Sequence, residues 1–447
     1  MKKDSTSTPA DPNDLYIYSL RKMAEENLDK NRINLTGLLN LRAFLYKSDD
    51  MIRYTDDKYA IIVMDIAGFK LINEFFSRKT GDDLLVYISD RFRMHENEKA
   101  VAAHLRADIF ALCTAYETQA ELEHIVNDLS EHIKAYPIAC KILPAFGICL
   151  VQDRTQTASY IQDCAMLAMK TIKGNYFKNY AFFDKAMHDQ LLLEKNIENI
   201  FDEALATDQF QLYIQPKVDM VTGRIIGGEA LARWIHPVSG MISPGDFVPI
   251  LEKNTSIIAM DKYIWKKVFK LISDLKLEHN IEMPISINIS RVHAYDDTLV
   301  DTLKNLASGY MISPKLVPLE LTESAYAENE SLMYEKILSL KEQGFLFSMD
   351  DFGSGYSNMN MLVNQPVDEV KIDRAFLYHI ENPKSQTLVR HSIAMLHDLG
   401  LPIVIEGVEN ECQKEFLVES GCKYAQGYLF YKPMPAENFR ELVINQQ

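Results

Sequence analysis

Seven short apolar runs in the second half of the chain each lead to a polar side chain suited to a metal ion or a phosphate. In order they carry Glu229 (IIGGEALARW), Asn288 (PISINIS), Glu320 (LVPLELTES), the pair Asp350 and Asp351 (FLFSMDD), Lys371 (VDEVKID), Glu406 (LPIVIEGVE) and Gln426 (YAQGYLF). An apolar run of about four to six residues that stops at a charge reads as a buried parallel strand whose carboxyl end faces a site. Most of these runs are separated by stretches long enough for a helix. The rhythm predicts a (β/α) barrel, where chemistry gathers at the carboxyl ends of the strands.

A length of 447 residues allows two or three domains. The formal charge of −16 makes a surface that repels polyanions, so no nucleic acid polymer and no anionic lipid is expected as the main partner. A small anionic ligand stays allowed if cations neutralise its site. Cysteines 113, 140, 149, 164, 412 and 422 form no CxxC pair and read as reduced thiols of a cytoplasmic protein. No run reaches the length of a membrane span. The start, MKKDSTSTPADPND, has two lysines without an apolar core behind them, and reads as a disordered tail rather than a signal peptide.

Residues 14–30 follow with a helical pattern, so 1–30 are a tail plus a helix. A mixed α+β domain is expected over 31–184, with the strand YAIIVMDI, a helix in FKLINEFF, a hairpin in AVAAHLRADIFALC and a strand near LPAFGICLV. Residues 185–208 make a helical connector; 185–206 contain neither Gly nor Pro, which predicts a stiff segment. The barrel then spans 209–447.

Oxygen ligands in this number suit hard cations such as Mg²⁺ or Mn²⁺. If Asp350 ends a strand and Asp351 opens the loop, one carboxylate can bridge two ions while the other holds the second. Two ions about 4 Å apart can clamp the attacking and leaving oxygens of a phosphodiester. Lys371 would bring a positive charge beside the attacking water, and Arg233 could grip a phosphate oxygen. Taken singly, each motif has a plain structural explanation: a turn, a surface lysine, a cap. Their common position at one end of successive strands is what a structural explanation has to meet piece by piece.

The segments YIQPKVD, GGEALARW, SINIS, LELTES, MDDFGSGYSN, VDEVKIDRAF, IEGVEN and GCKYAQGYLFYKPMP, over 209–437, resemble the EAL domain, the cyclic di-GMP phosphodiesterase module of bacteria. The resemblance implies a modified TIM-like (β/α)8 barrel with one antiparallel strand, two divalent ions, and hydrolysis of cyclic di-GMP to pGpG. It implies that Glu229, Asn288, Glu320 and Asp350 hold the first ion, and Asp350, Asp351 and Glu406 the second. Lys371 matches the residue that positions the nucleophilic water. Arg233, Gln426 and Gln215 match substrate-side positions, and Glu323 matches the anchor of the loop after the Asp pair. In that loop Ser354 stands where threonine is common. The resemblance also favours a homodimer through the barrel domain. The alternative it leaves is a receptor or signalling scaffold that binds cyclic di-GMP without hydrolysing it.

Residues 31–184 resemble a GGDEF domain, the diguanylate cyclase module, through LTGLLN, MDIAGFKLIN, GDDLL and the hairpin around Ala107 to Phe110. The signature loop reads Arg106-Ala107-Asp108-Ile109-Phe110, so two glycines and an acidic position are missing, and Ala67 stands where a second aspartate is common. Ile109 cannot bind a cation. A cyclase that lost two carboxylates would lose several kcal/mol of charge stabilisation, so no cyclase activity is expected. Asn97 to Ala100 lack the Arg-x-x-Asp of the family's product-inhibition site. Asn73 and Asp82 match residues that read guanine, Lys70 and Lys170 match phosphate-side lysines, and Asp65 remains as an acid. Two readings of these positions stay open: a GTP sensor for the neighbouring phosphodiesterase, or a scaffold that dimerises.

Overall fold

Eight consecutive residues, Tyr59–Ile66 (β1), are buried along their whole length. This is what a central strand covered on both faces requires. The computed structural model describes residues 31–322, 330–353, 362 and 366–446. The readings for 1–30, Glu323 and Ser354 lie outside those residues. The chain divides into two compact units, Met1–Leu193 and Glu194–Gln447.

In the first unit β1 pairs with two neighbours in antiparallel register, Ile109–Ala115 (β3) and Pro144–Leu150 (β4). Ala100–Arg106 (β2) joins the far side of β3, and the short Tyr180–Phe182 (β5) runs parallel to β4. Along β1 the side chains alternate with period two. Ala60, Ile62, Met64 and Ile66 pack with the helices Phe69–Phe75, Arg78–Arg93 and Gln119–Lys134. Tyr59, Ile61 and Val63 pack with Leu41–Tyr54 and Ala158–Ile172. The expected hairpin is β2–β3. Its turn holds Ala107 at a φ of 47°, a left-handed conformation that glycine adopts more readily. The His104 ring bonds the Ala107 carbonyl at 2.6 Å, and Thr36 bonds its other nitrogen at 3.2 Å. That fixes the tautomer: the nitrogen facing the carbonyl must carry the proton. Lys185–Ala206 form one helix.

The second unit begins with a hairpin, Phe210–Asp219 (β6) and Ile225–His236 (β7). A connection this short can join only antiparallel strands. Asp219 accepts from the backbone N–H groups of Val221 and Thr222, and Gly223 takes a φ of 69°, which closes the turn. Gly240–Ile242 (β8) pairs antiparallel with the end of β7. Then come Ile285–Asn288 (β9), Leu319–Thr322 (β10), Phe347–Phe352 (β11), Glu369–Ile372 (β12), Ile403–Ile405 (β13) and Tyr424–Ala425 (β14). From β7 through β9 to β14 each main strand runs parallel to the next. β14 then pairs with β6 and shuts the cylinder. Met434–Pro435 (β15) adds to the outer part of β6. Among the described residues the barrel therefore has seven parallel strands and one antiparallel strand.

Two expectations about strand ends need correction. Glu229 does not end its strand: β7 runs on to His236 because β6 and β8 continue to pair with it after its parallel partner β9 has stopped. Asp351 does not open a loop. It stays within β11 at a register shift between Met349 and Phe352, with a φ of 57°. A bulge of this kind re-aims side chains that would otherwise alternate.

Gly147 in β4 lies against the helix Ala158–Ile172, where an added Cβ would sit 1.8 Å from the Ala165 carbonyl oxygen. Gly147→Ala should therefore force the helix off the sheet and destabilise the first unit by roughly 1–3 kcal/mol. Urea unfolding measures this; an unchanged midpoint would contradict the close approach.

Candidate active site

β9 to β13 are so short that their last polar residues project around one mouth of the barrel. The Lys371 ammonium, wholly buried, lies in the middle. Its Nζ is 2.6 Å from Glu406, 2.9 Å from Glu320, 3.0 Å from Asp350 and 3.2 Å from Glu229. Five strands supply this group of five residues, so the packing of the barrel sets the distances.

β6 completes the ring from the antiparallel side. Gln215 stands opposite Glu229 in the β6–β7 register. Gln426, just past β14, donates to Glu229 at 2.7 Å and to Gln215 at 3.0 Å. Gln215 donates in turn to the Tyr431 carbonyl at 3.2 Å. Asn288 donates to the other Glu229 oxygen at 3.4 Å. Arg233 lies four residues after Glu229 on β7, so both project to one face of the strand. A cavity of about 400 Å³ is lined by Arg233, Asn288, Asp261, Trp265, Ile287 and Thr322; none of the acids around Lys371 lines it, and Asn288, bonded to Glu229, links it to them.

One participant was missed by the sequence reading. Lys217 on β6 is buried and places its Nζ 2.8 Å from Glu320 and 3.6 Å from Glu369. Gln215 and Lys217 are two apart on a strand, so period-two alternation marks them as neighbours on one face. The apolar-run rule could not find Lys217, because β6 runs the other way and presents its middle to the site.

The electrostatics divide the acids into two kinds. Burial opposes ionisation of Glu320, but Lys217 and Lys371 outweigh it and hold its carboxyl down at about 2. Burial pushes Glu406 up to about 8, with Asp350 and Glu229 adding to the rise and Lys371 opposing it. Burial likewise raises Glu229, Asp350 and Asp351. Burial works against the Lys371 ammonium, yet the four acids around it raise its pKa well above the usual value. Two ammonium groups thus leave the acid cluster short of positive charge. Oxygens of Asp350, Asp351 and Glu406 all come within 4.8 Å of one another. A carboxylate set with unmet charge and converging oxygens fits a hard divalent cation.

In the first unit, Asp65 is buried and paired with Lys173 at 2.7 Å. Lys173, the residue that caps the helix Ala158–Ile172, was also missed; Lys170, the expected cation, is exposed in the last turn of that helix. Lys70 is exposed and pairs with Glu74 at 3.6 Å. Asn73 packs against Gly81, whose added Cβ would lie 1.9 Å from the Asn73 side-chain oxygen. Asp82 is exposed on the helix Arg78–Arg93. Asp108 accepts from the Ile66 N–H at 3.4 Å, which sets a second acid near the end of β1. Among the described residues no helix is long and apolar enough to cross a membrane.

The EAL domain family matches residues 198–433, and the diguanylate cyclase GGDEF domain family matches 34–179. The chain is 31% identical to the bifunctional diguanylate cyclase/cyclic di-GMP phosphodiesterase MucR of Pseudomonas aeruginosa, over 86% of this chain and 56% of that protein. It is 29% identical to the cyclic di-GMP phosphodiesterase NbdA of the same species, over 95% of this chain and 54% of that one. With the cyclic di-GMP phosphodiesterase PdeR of Escherichia coli it shares 28% identity, over 92% of this chain and 62% of that one. The chain thus spans less than two thirds of the length of these curated relatives. Among solved structures, the PaMucR phosphodiesterase in complex with c-di-GMP is 34% identical, with a TM-score of 0.52 over 55% of this chain and 99% of that one. The EAL enzyme Bd1971, with cAMP and cyclic di-GMP bound, is 22% identical with a TM-score of 0.55, over 87% of this chain and 95% of that one. That second likeness shows the fold alone. The chain belongs to the EAL-domain family and carries a GGDEF domain ahead of that domain.

Two measurements check the charge distribution. Without metal, folded Glu406 keeps a proton up to about pH 8, which the unfolded chain releases near the ordinary 4.5. The unfolded state then binds fewer protons across that window, so the metal-free protein loses stability as pH rises through it. Divalent metal displaces the proton, so the thermal shift produced by Mg²⁺ or Mn²⁺ should grow with pH and level off above pH 8. A metal-induced shift that shrinks with pH would contradict this. Lys217→Met breaks a buried pair and should destabilise the barrel unit by roughly 3–5 kcal/mol in urea unfolding. A variant as stable as the parent would contradict the pairing.

Proposed function

We propose that the barrel domain hydrolyses cyclic di-GMP to the linear dinucleotide pGpG. The observation that carries this reading is the convergence of Glu229, Glu320, Asp350 and Glu406 on the buried Lys371 ammonium, with Asp351 completing a cation-ready group. The relatives named as cyclic di-GMP phosphodiesterases support it.

In the reaction a water oxygen adds to phosphorus, the bond from phosphorus to a ribose 3′-oxygen breaks, and the water's proton ends on the freed 3′-hydroxyl. Glu229, Asn288, Glu320, Asp350, Asp351 and Glu406 are the residues that would hold Mg²⁺ or Mn²⁺, which would supply Lewis acidity to the phosphodiester when bound. Lys371 orients the water and offsets the negative charge that builds on phosphorus. Glu406, beside it, is placed to take the proton. Arg233, on the cavity wall, holds a phosphate oxygen. Gln426 and Gln215 fix one another and the Glu229 carboxylate, so that acid keeps its direction when a ligand enters. The apolar part of the cavity excludes water, which strengthens each of these charges.

The GGDEF domain is proposed to make no cyclic di-GMP. Asp65 is already neutralised by Lys173, and Ile109 offers no ligand where the signature loop would need one. Whether the domain senses GTP or only supports a dimer is open to the same assay run with GTP.

The deciding experiment incubates the protein with cyclic di-GMP and Mg²⁺ and follows pGpG. Product is expected. Ligand bound but unchanged would favour a receptor, and neither would end both readings. Glu229→Ala and Asp350→Ala should abolish turnover. Lys371→Ala should lower kcat by on the order of 10²- to 10³-fold while changing KM little; a wild-type rate would remove Lys371 from its role. GTP and Mg²⁺ alone should yield no cyclic di-GMP, and its appearance would overturn the cyclase-inactive reading.

A further inference from the structure

Behind the cavity wall sits a buried polar group that the chemistry above does not use. His293 has no exposed surface. It lies in the short 3-10 turn Arg291–Tyr295, directly after β9 and its final residue Asn288. One ring nitrogen, Nε2, is 2.9 Å from Asp261 Oδ2, and the other, Nδ1, is 3.5 Å from Asp296 Oδ2. Asp296 is itself held by Lys262 at 2.7 Å and by the Thr298 hydroxyl at 2.7 Å. The imidazole stacks on Trp265, with centroids 4.9 Å apart and planes at 30°. The Trp265 indole N–H donates to the Asn288 backbone carbonyl at 3.4 Å.

These contacts join three things: the turn after β9, the helix Ile257–His279 that carries Asp261 and Trp265, and the backbone of Asn288. Asp261 and Trp265 both line the cavity. An ionised carboxylate only accepts, so Nε2 carries the proton and donates to Asp261. Asp261 also accepts from the Ser290 backbone N–H, so the turn after β9 and the His293 ring together fix the direction of its carboxylate. A polar group buried this deeply is costly unless it is bonded, so removing the donor frees the carboxylate to turn toward other partners.

We propose that His293 is a positioning residue for the ligand cavity: it holds the Asp261 carboxylate and the Trp265 indole in place, and through them the Asn288 backbone. It touches neither ligand nor ion. The kinetic part of the test rests on the hydrolysis proposed above; a structural readout stands apart from it.

His293→Leu keeps the bulk and deletes both nitrogens. Its KM for cyclic di-GMP should rise by on the order of tenfold, with kcat within about threefold of wild type. Amide hydrogen exchange across residues 285–296 should quicken. His293→Gln restores one N–H donor toward Asp261 and should recover most of both effects. If the leucine variant does not fold, His293→Phe, which keeps a ring against Trp265 and deletes the same N–H donor, should raise KM in the same direction. A wild-type KM in His293→Leu, or in His293→Phe where that variant has to stand in, overturns the inference. So does a glutamine variant no better than leucine. Absence of turnover in the wild type would instead defeat the hydrolysis reading, and the exchange measurement would then decide the role of His293 by itself.

Discussion

A buried ammonium among acids needs all of its partners at once. Lys371 has no exposed surface, and taking it out of water is favourable only with carboxylates close on several sides. Those carboxylates come from β7, β10, β11 and the residue after β13, and no two of them are near in sequence. Closure of the barrel is what satisfies the lysine. The antiparallel β6 is part of that closure: it pairs with both β7 and β14, and it brings Gln215 and Lys217 to the acids from the side the parallel strands leave open.

The two units treat buried acids in opposite ways. In the first, Asp65 meets Lys173 at 2.7 Å, one internal cation against one acid, with Asp108 nearby. In the second, the acids outnumber the two lysines, and burial leaves several of them with raised affinity for protons. A proton is the poorest answer to that shortage of positive charge, and a divalent cation is a better one. The same residue types in the same chain therefore lead to an internal pair in one place and to an open demand for a cation in the other.

Much of this is legible in the residue pattern. The polar residues after the apolar runs identified the ring at the mouth, and the absence of Gly and Pro identified the helix Lys185–Ala206. What escaped depended on long-range pairing. Glu229 lies mid-strand because strand length follows the neighbours a strand finds, not its own sequence. The bulge that re-aims Asp351 arises from register against β12, which a linear pattern does not carry. Lys217 was hidden on a strand of reversed direction. Lys173 could be told from Lys170 only once the helix had been placed against β1. Nothing in the sequence sets His293 apart, because its isolation from water depends on the helix that packs over it.

Anomalous scattering from crystals soaked in Mn²⁺ tests the central claim most directly. Two peaks about 4 Å apart are predicted at the mouth of the barrel, one of them among the carboxylates of Asp350, Asp351 and Glu406. A mouth without anomalous density, or manganese held elsewhere while Lys371 alone balances the acids, would contradict it.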